Sequence, residues 1–256
     1  MFGLLLMLFA QIDPTAKPPP AAEVTPRTKA ILARLEGPIA MEFPKEAALE
    51  DVLEHIKRSV RKGPDDPGIP IYLDPPGLWR AGRTLSATVA INEKAILLKD
   101  ALARVLAPLT YIVKDDVLII SDPRGIERER SEVPVRACDA TPASQALLAQ
   151  LEEPVRMPFA NETPLSDVLA YLKGATGKPP HDRAIEILMV PDGLKEVERS
   201  LNSTIQMDLE GVPLKTTLRL LLDQLGLGCA VRDGRLVIHS REGIRKLLRN
   251  AEGPGR

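Results

Sequence analysis

Three histidines and two aspartates are the residues whose types could support catalysis in this chain. His55, His181 and His239 lie far apart, without the close spacing of His, Cys and acidic residues that metal sites require. Asp51 and Asp167 each stand at the start of an amphipathic segment, where a carboxylate complements the helix dipole. No Ser lies in a G-x-S-x-G context, and no glycine-rich loop follows a predicted strand. We therefore expect no catalytic residue, no cofactor and no metal ligand.

Trp79 is the side chain whose chemistry points most clearly to a binding surface. It is the sole tryptophan, it follows the predicted turn at residues 74–77, and it is flanked by Arg80 and Arg83. Tryptophan and arginine are enriched at the energetic hot spots of protein interfaces. Trp79, Arg80 and Arg83 are therefore the candidate partner-binding residues. The alternative is a tryptophan that only covers a sheet edge.

An internal repeat determines where these residues stand. Residues 31–56, ILARLEGPIAMEFPKEAALEDVLEHI, align without a gap with residues 147–172, LLAQLEEPVRMPFANETPLSDVLAYL, at an offset of 116 (147 minus 31). Near the end the offset becomes 118, because Leu236 matches Leu118. Most shared residues are apolar residues, Pro or Gly, which serve packing and turns. The repeat therefore predicts a duplicated domain, and it says little about activity.

Hydrophobic periodicity predicts the same elements in both copies. In the first copy it indicates helices near 26–36, 49–56 and 98–109, and strands near 39–43, 69–73, 85–91, 111–113 and 117–120. The predicted fold class is α+β, with two tandem copies of a small α-β-α-β-β-α-β-β domain. We expect a signal-like segment and Pro-rich spacer (1–24), copy 1 (25–123), a solvated charged linker (124–140), copy 2 (141–240) and a basic tail with a short helix (241–256).

Local signals refine the second copy. Thr163-Pro164 is expected to cap the helix that follows it. Asp233-Gly234 is expected to form the turn of a hairpin. Cys138 and Cys229 could form a single bridge in an oxidising compartment, or they could be a linker thiol and a small apolar residue in a strand.

Composition and the N-terminus bear on partners and compartment. The net charge is −1 and aromatic residues make up only 3%, so neither a basic field nor stacking platforms favour nucleic acid.

The apolar run 2–10 is shorter than the roughly 20 residues of a membrane-spanning helix. Its length favours a secretory signal peptide, although no Lys or Arg precedes it. We expect an exported, periplasmic protein without a membrane span in the mature chain; the alternative is a cytoplasmic protein whose N-terminal run is retained.

The motifs carry a resemblance to a known family. Both copies contain L-x-D-V-L, at 49–53 and 165–169, then Pro-x-Gly-Leu at 75–78 and 191–194. Leu-x-x-Thr-[Val/Ile], a leucine-rich helix and a closing hairpin follow in each. This order resembles the short N-terminal (STN) domain shared by secretins and TonB-dependent receptors, and most closely tandem copies in exported proteins of planctomycete-type bacteria.

The resemblance implies a small periplasmic βαββαββ-like unit that mediates protein contacts, such as signalling to a partner or ring assembly. No β-barrel or pore segment follows in this sequence, so transport and channel formation are not implied. We expect an exported, non-enzymatic interaction or scaffold protein whose partner is another protein. Two alternatives stay open: a hydrolase-type enzyme with a site between the copies, using residues such as His181 and Asp182, and a nucleic-acid-binding module.

Overall fold

The fold is mixed α+β, as expected. A computed structural model describes residues 25–63, 66, 68–132, 134–177 and 184–251. The elements of the first half are α1 (Pro26–Leu35), β1 (Pro38–Ala48), α2 (Leu49–Ser59), β2 (Ile71–Leu73), α3 (Pro75–Arg80), β3 (Thr88–Leu97), α4 (Leu98–Leu106), β4 (Thr110–Lys114), β5 (Val117–Ser121) and α5 (Pro123–Ser131). The signal-like segment 1–24, the loop with His181 and Asp182, and residues 252–256 lie outside the described residues.

The second half repeats this element order. Its elements are α6 (Pro142–Leu151), β6 (Met157–Pro164), α7 (Leu165–Thr176), β7 (Ile187–Met189), α8 (Pro191–Glu196), β8 (Thr204–Leu209), α9 (Leu214–Asp223), β9 (Leu227–Arg232), β10 (Arg235–Ser240) and α10 (Arg241–Ala251). We refer to residues 25–131 as copy 1 and to the described residues from 142 to 251 as copy 2.

Each copy contains a two-stranded and a three-stranded sheet. In copy 1, β1 pairs antiparallel with β3, and β5 lies between β2, which is parallel to it, and β4, which is antiparallel. Copy 2 has the matching sheets: β6-β8 with two strands and β7-β10-β9 with three. The predicted Asp233-Gly234 hairpin is confirmed: both residues have positive φ, 50° and 72°, as a two-residue turn between strands requires.

Helices α2 and α7 begin in a way that the local sequence does not reveal. The N–H groups of Leu49 and Glu50 donate to the carbonyl oxygens of Ala87 and Leu85, at 2.9 and 3.0 Å. Residues 85–87 therefore supply hydrogen-bond acceptors for the start of α2. Strand β3 begins only at Thr88, not at residue 85 as predicted.

The same arrangement corrects the predicted cap of α7. The N–H groups of Leu165 and Ser166 donate to the carbonyl oxygens of Ser203 and Leu201. Thr163 lies in β6 and its hydroxyl donates to the carbonyl oxygen of Asn161, so it does not cap the helix. Tertiary acceptors replace the local side-chain cap.

Two more predictions are corrected in copy 1. The predicted turn at 74–77 is the start of helix α3, because prolines are well tolerated in the first turn of a helix. The expected solvated linker begins with helix α5, whose N-terminus is capped by the Asp122 carboxylate through the Gly125 N–H. Glu129 of that helix is 4% exposed, so part of its charge is buried.

Helix α5 belongs to the repeat, because α10 follows β10 in the same way. Ser240 caps α10 through the Gly243 N–H at 3.0 Å, and Ile244 is buried like Ile126 of α5. The predicted short helix in the basic tail is therefore confirmed and is longer than expected. The matching Arg-Gly-Ile (124–126) and Glu-Gly-Ile (242–244) were the available signal.

The apolar core of copy 2 extends onto the outer face of the copy 1 sheet. On sheet β2-β5-β4, Leu118 and Ile120 face the core of copy 1. Tyr72, Val117 and Ile119 belong instead to the same apolar cluster as the leucines of α9 in copy 2. The sheet of copy 1 is therefore a middle layer, covered by its own helices on one side and by copy 2 on the other.

Candidate binding groove between the two copies

A groove of about 870 Å³ runs along the junction of the two copies. Copy 1 contributes residues of α2, β2 and α3 and the loop 83–86, and copy 2 contributes residues of β6 and β8. Leu53, Ile71 and Met207 form buried apolar surface at its base. The groove exists only because the copies are docked, so the repeat alone could not predict it.

Trp79 stands at this groove with 82% of its surface exposed. Helix α3 ends one residue later, at Arg80: Gly82 has a φ of 63°, and the Arg83 N–H donates to the Leu78 carbonyl oxygen at 2.9 Å. Leu78 takes the buried side of the short helix, which leaves Trp79 on the open side. The tryptophan therefore does not close the core.

The two flanking arginines have different environments. Arg83 lines the groove and donates to the Val105 carbonyl oxygen at 3.4 Å. Arg80 instead forms ion pairs with Asp122 at 2.5 Å and with Asp74 at 3.5 Å. Its hydrogen bond to Asp122 holds the pKa of that carboxyl below its ordinary value. The structure therefore brings Trp79 and Arg83 to the groove and places Arg80 in a structural network.

The charged residues that line the groove are mainly acidic. They are the carboxylates of Glu50, Asp51, Glu54 and Asp208, and the bases Lys57 and Arg83. Glu50 and Asp51 lie in the first turn of α2, and Asp167 lies in the first turn of α7, which agrees with the helix-dipole interpretation. This balance favours a cationic ligand over a polyanion such as nucleic acid.

A second group of charges, missed by the sequence analysis, holds the copies together. Arg219 of α9 is 7% exposed and donates to the Glu129 carboxylate at 2.5 Å and to Asp115 at 3.2 Å. Burial opposes the charged form of Arg219, but the two carboxylates outweigh it and raise its pKa. Lys114 donates to the Glu132 carbonyl oxygen at 3.1 Å, and burial, followed by the nearby Arg219, lowers its pKa. Arg219, Glu129 and Asp115 join the copies, and they do not line the groove.

The histidines that the structure describes have structural contacts. The His55 Nε2–H donates to the Ala40 carbonyl oxygen at 2.8 Å, and the ring packs edge-on against Phe43. His239 lies beside Ser240, whose hydroxyl donates to the Glu196 carboxylate. Ser240 is only 3% exposed and also caps α10, so its hydroxyl is not available as a nucleophile.

Neither cysteine is assigned a reactive role. Cys138 and Cys229 are free thiols, so the bridge that we considered is not formed. Cys229 is buried in β9, and burial raises its pKa to about 12, which keeps the thiol protonated. No group of three His, Cys, Asp or Glu side chains within the described ranges could hold a metal ion.

Comparison with known proteins does not extend these observations. No protein-family model matches the sequence, and searches of curated proteins and of solved structures find no match. Among the helices that the structure describes, none combines the length and apolar character needed to cross a membrane.

Proposed function

We propose that this chain is an exported, non-enzymatic protein that works by binding another protein through the groove between its two STN-like copies. The observation that carries the proposal is Trp79, which is 82% exposed at an acidic groove with an apolar base. Indole rings contribute large binding energies at interfaces when a partner removes them from water. The docked copies give the groove fixed walls, which reduces the ordering cost of binding.

The element order supports the STN-like assignment. Omitting the short helix α3 and the flanking helices, copy 1 runs β1-α2-β2-β3-α4-β4-β5, which is the βαββαββ order that the resemblance implies.

Export rests on the apolar run 2–10, and N-terminal sequencing of the mature protein tests it. A mature chain that retains Met1 would favour the cytoplasm.

Site-specific photo-crosslinking in the native host tests partner binding. A photoreactive amino acid replaces Trp79 in one full-length variant and Lys195 in a control variant. Lys195 occupies the matching position of α8 (195 minus 79 is 116) and is also exposed. We expect a discrete protein adduct from position 79 alone. Adducts of equal yield from both positions, or no protein adduct from position 79, would contradict the proposal.

A further inference from the structure

One wall of the groove is formed by β2, the outermost strand of sheet β2-β5-β4. The Asp74 N–H donates to the Ile120 carbonyl oxygen on β5 at 2.9 Å, and the backbone groups of Ile71 and Leu73, which alternate with it in direction, face away from β5. That edge is not open to a further strand, because Ile71 is only 3% exposed and β8 of copy 2 contacts β2. A ligand in the groove therefore meets side chains rather than free backbone groups.

Copy 2 shows which groove residues the fold does not require. The groove positions of copy 1 that change in chemistry in copy 2 include Trp79 to Lys195, Glu50 to Ser166 and Glu54 to Ala170. Helices α7 and α8 form without the indole and without the two glutamates. The aromatic ring and the extra negative charge are therefore features of the groove itself, and we attribute them to its ligand.

We propose that the groove binds a segment of the partner protein that carries arginine or lysine side chains, an inference that rests on the proposed function. Apolar side chains of the segment cover the base of the groove. A cationic side chain lies over the Trp79 ring, where the indole face attracts positive charge. Glu50 and Glu54 on the adjacent helix α2 supply charge complementarity.

A random peptide display library tests the chemistry of the ligand. The full-length chain is the bait, and the variant Glu50→Ser/Glu54→Ala, which carries the residues of copy 2, is the counter-selection. We expect enriched peptides with net positive charge and with apolar residues. Enrichment of acidic or neutral peptides, or no enrichment that depends on Glu50 and Glu54, would overturn the proposal.

An enriched synthetic peptide then tests the geometry. Binding changes the fluorescence of the single tryptophan, Trp79, and anisotropy of a labelled peptide compares variants. We expect roughly tenfold weaker binding to Trp79→Lys and to Glu50→Ser/Glu54→Ala. The matched changes in copy 2, Lys195→Trp and Ser166→Glu/Ala170→Glu, should leave the affinity unchanged. Circular dichroism verifies that each variant folds.

If position 79 crosslinks to a protein while the display experiment shows no preference for cations, this inference fails and the proposed function stands.

Discussion

Helices α4 and α9 hold the same place in the two copies, but they have different surroundings. Helix α4 buries five of its nine residues, all on the face toward its own sheet. Helix α9 buries eight of its ten residues, because its second face packs on copy 1. Both helices keep the same ion pair near the start, Lys99 with Glu36 and Lys215 with Glu152. The two helices therefore differ mainly on the face that only α9 buries.

That difference shows how duplication produced a docked pair. Asp100, Ala103 and Arg104 on α4 are exposed, and the matching residues of α9 are buried: Thr216, Arg219 and Leu220. Tyr72 of copy 1 donates its hydroxyl to the Leu220 carbonyl oxygen at 3.3 Å. A few changed side chains on one helix therefore distinguish a solvated surface from an interface between copies.

Reversing the largest of these differences should separate the copies. Leu220→Arg restores the residue of α4, but it places an unpaired charge at a site with 0% exposure. We expect a loss of about 5 kcal/mol in the free energy of unfolding, since buried uncompensated charges cost several kcal/mol. Urea denaturation followed by circular dichroism measures this loss.

The reciprocal variant Arg104→Leu serves as the control. Arg104 is 61% exposed and pairs with Glu93 at 2.8 Å, so its replacement should cost less than about 1 kcal/mol. Equal losses in the two variants would show that α9 is not docked on copy 1.

Removing the buried guanidinium should have the next largest effect. Arg219→Ala leaves Glu129 in the interface without its main partner, and breaking a buried ion pair in this way costs about 3–5 kcal/mol. The double variant Arg219→Met/Glu129→Met removes both charges and should recover most of that loss. With the single variants Arg219→Met and Glu129→Met, a double-mutant cycle by urea denaturation measures the coupling, and additive losses would contradict a direct interaction.

Periodicity and the repeat predicted most of the fold correctly. The apolar stripe from Leu98 to Leu106 and the alternation around Met41 are consequences of packing within one copy, and such short-range patterns appear directly in the sequence. Several errors lie where a distant segment decides the outcome. The cap of α7 is one example, because its acceptors come from Leu201 and Ser203 rather than from Thr163.

The candidate site was predictable only in part. Trp79 was identified from its residue type and its neighbours, and Arg83 lies with it at the groove. Arg80 lies in the same stretch of sequence as Trp79 and Arg83, but its guanidinium pairs with Asp122, which is 42 residues away along the chain. The charges of α5 were assigned to solvent because nothing local indicates that Arg219 would neutralise Glu129 from the other copy.

The Arg80–Asp122 pair should give a smaller effect that depends on pH. The folded-state pKa of Asp122 lies below its unfolded value of about 3.9, so the carboxylate stabilises the protein above that pH. This stabilisation is lost as the pH falls through the folded-state pKa. Asp122→Asn keeps an N-cap for α5. We expect it to cost about 1 kcal/mol at pH 7 and progressively less below pH 4.

Urea denaturation of Asp122→Asn at several pH values tests this sign. Glu127→Gln in the same helix is the control, because its pair with Arg130 is exposed and should contribute less than about 0.5 kcal/mol at any pH. A cost of Asp122→Asn that stays constant on acidification would mean that the ion pair does not stabilise the fold.

The smallest effect is expected where the two copies place different residues in the same structural role. His55 packs edge-on against Phe43, with ring centroids 5.3 Å apart, and Tyr171 packs on Phe159 at 5.2 Å. The Tyr171 hydroxyl donates to the Arg156 carbonyl oxygen at 2.9 Å, and Arg156 matches Ala40, the partner of His55.

The variant His55→Tyr should therefore keep the free energy of unfolding within about 0.5 kcal/mol of the original, because it retains the ring contact and the donor. His55→Ala removes both and should lose about 1–2 kcal/mol in the same measurement. The reciprocal variant Tyr171→His should be equally mild if the two sites are equivalent. A loss of partner crosslinking at position 79 in a folded His55→Tyr variant would instead assign the imidazole a role that its copy-2 counterpart lacks.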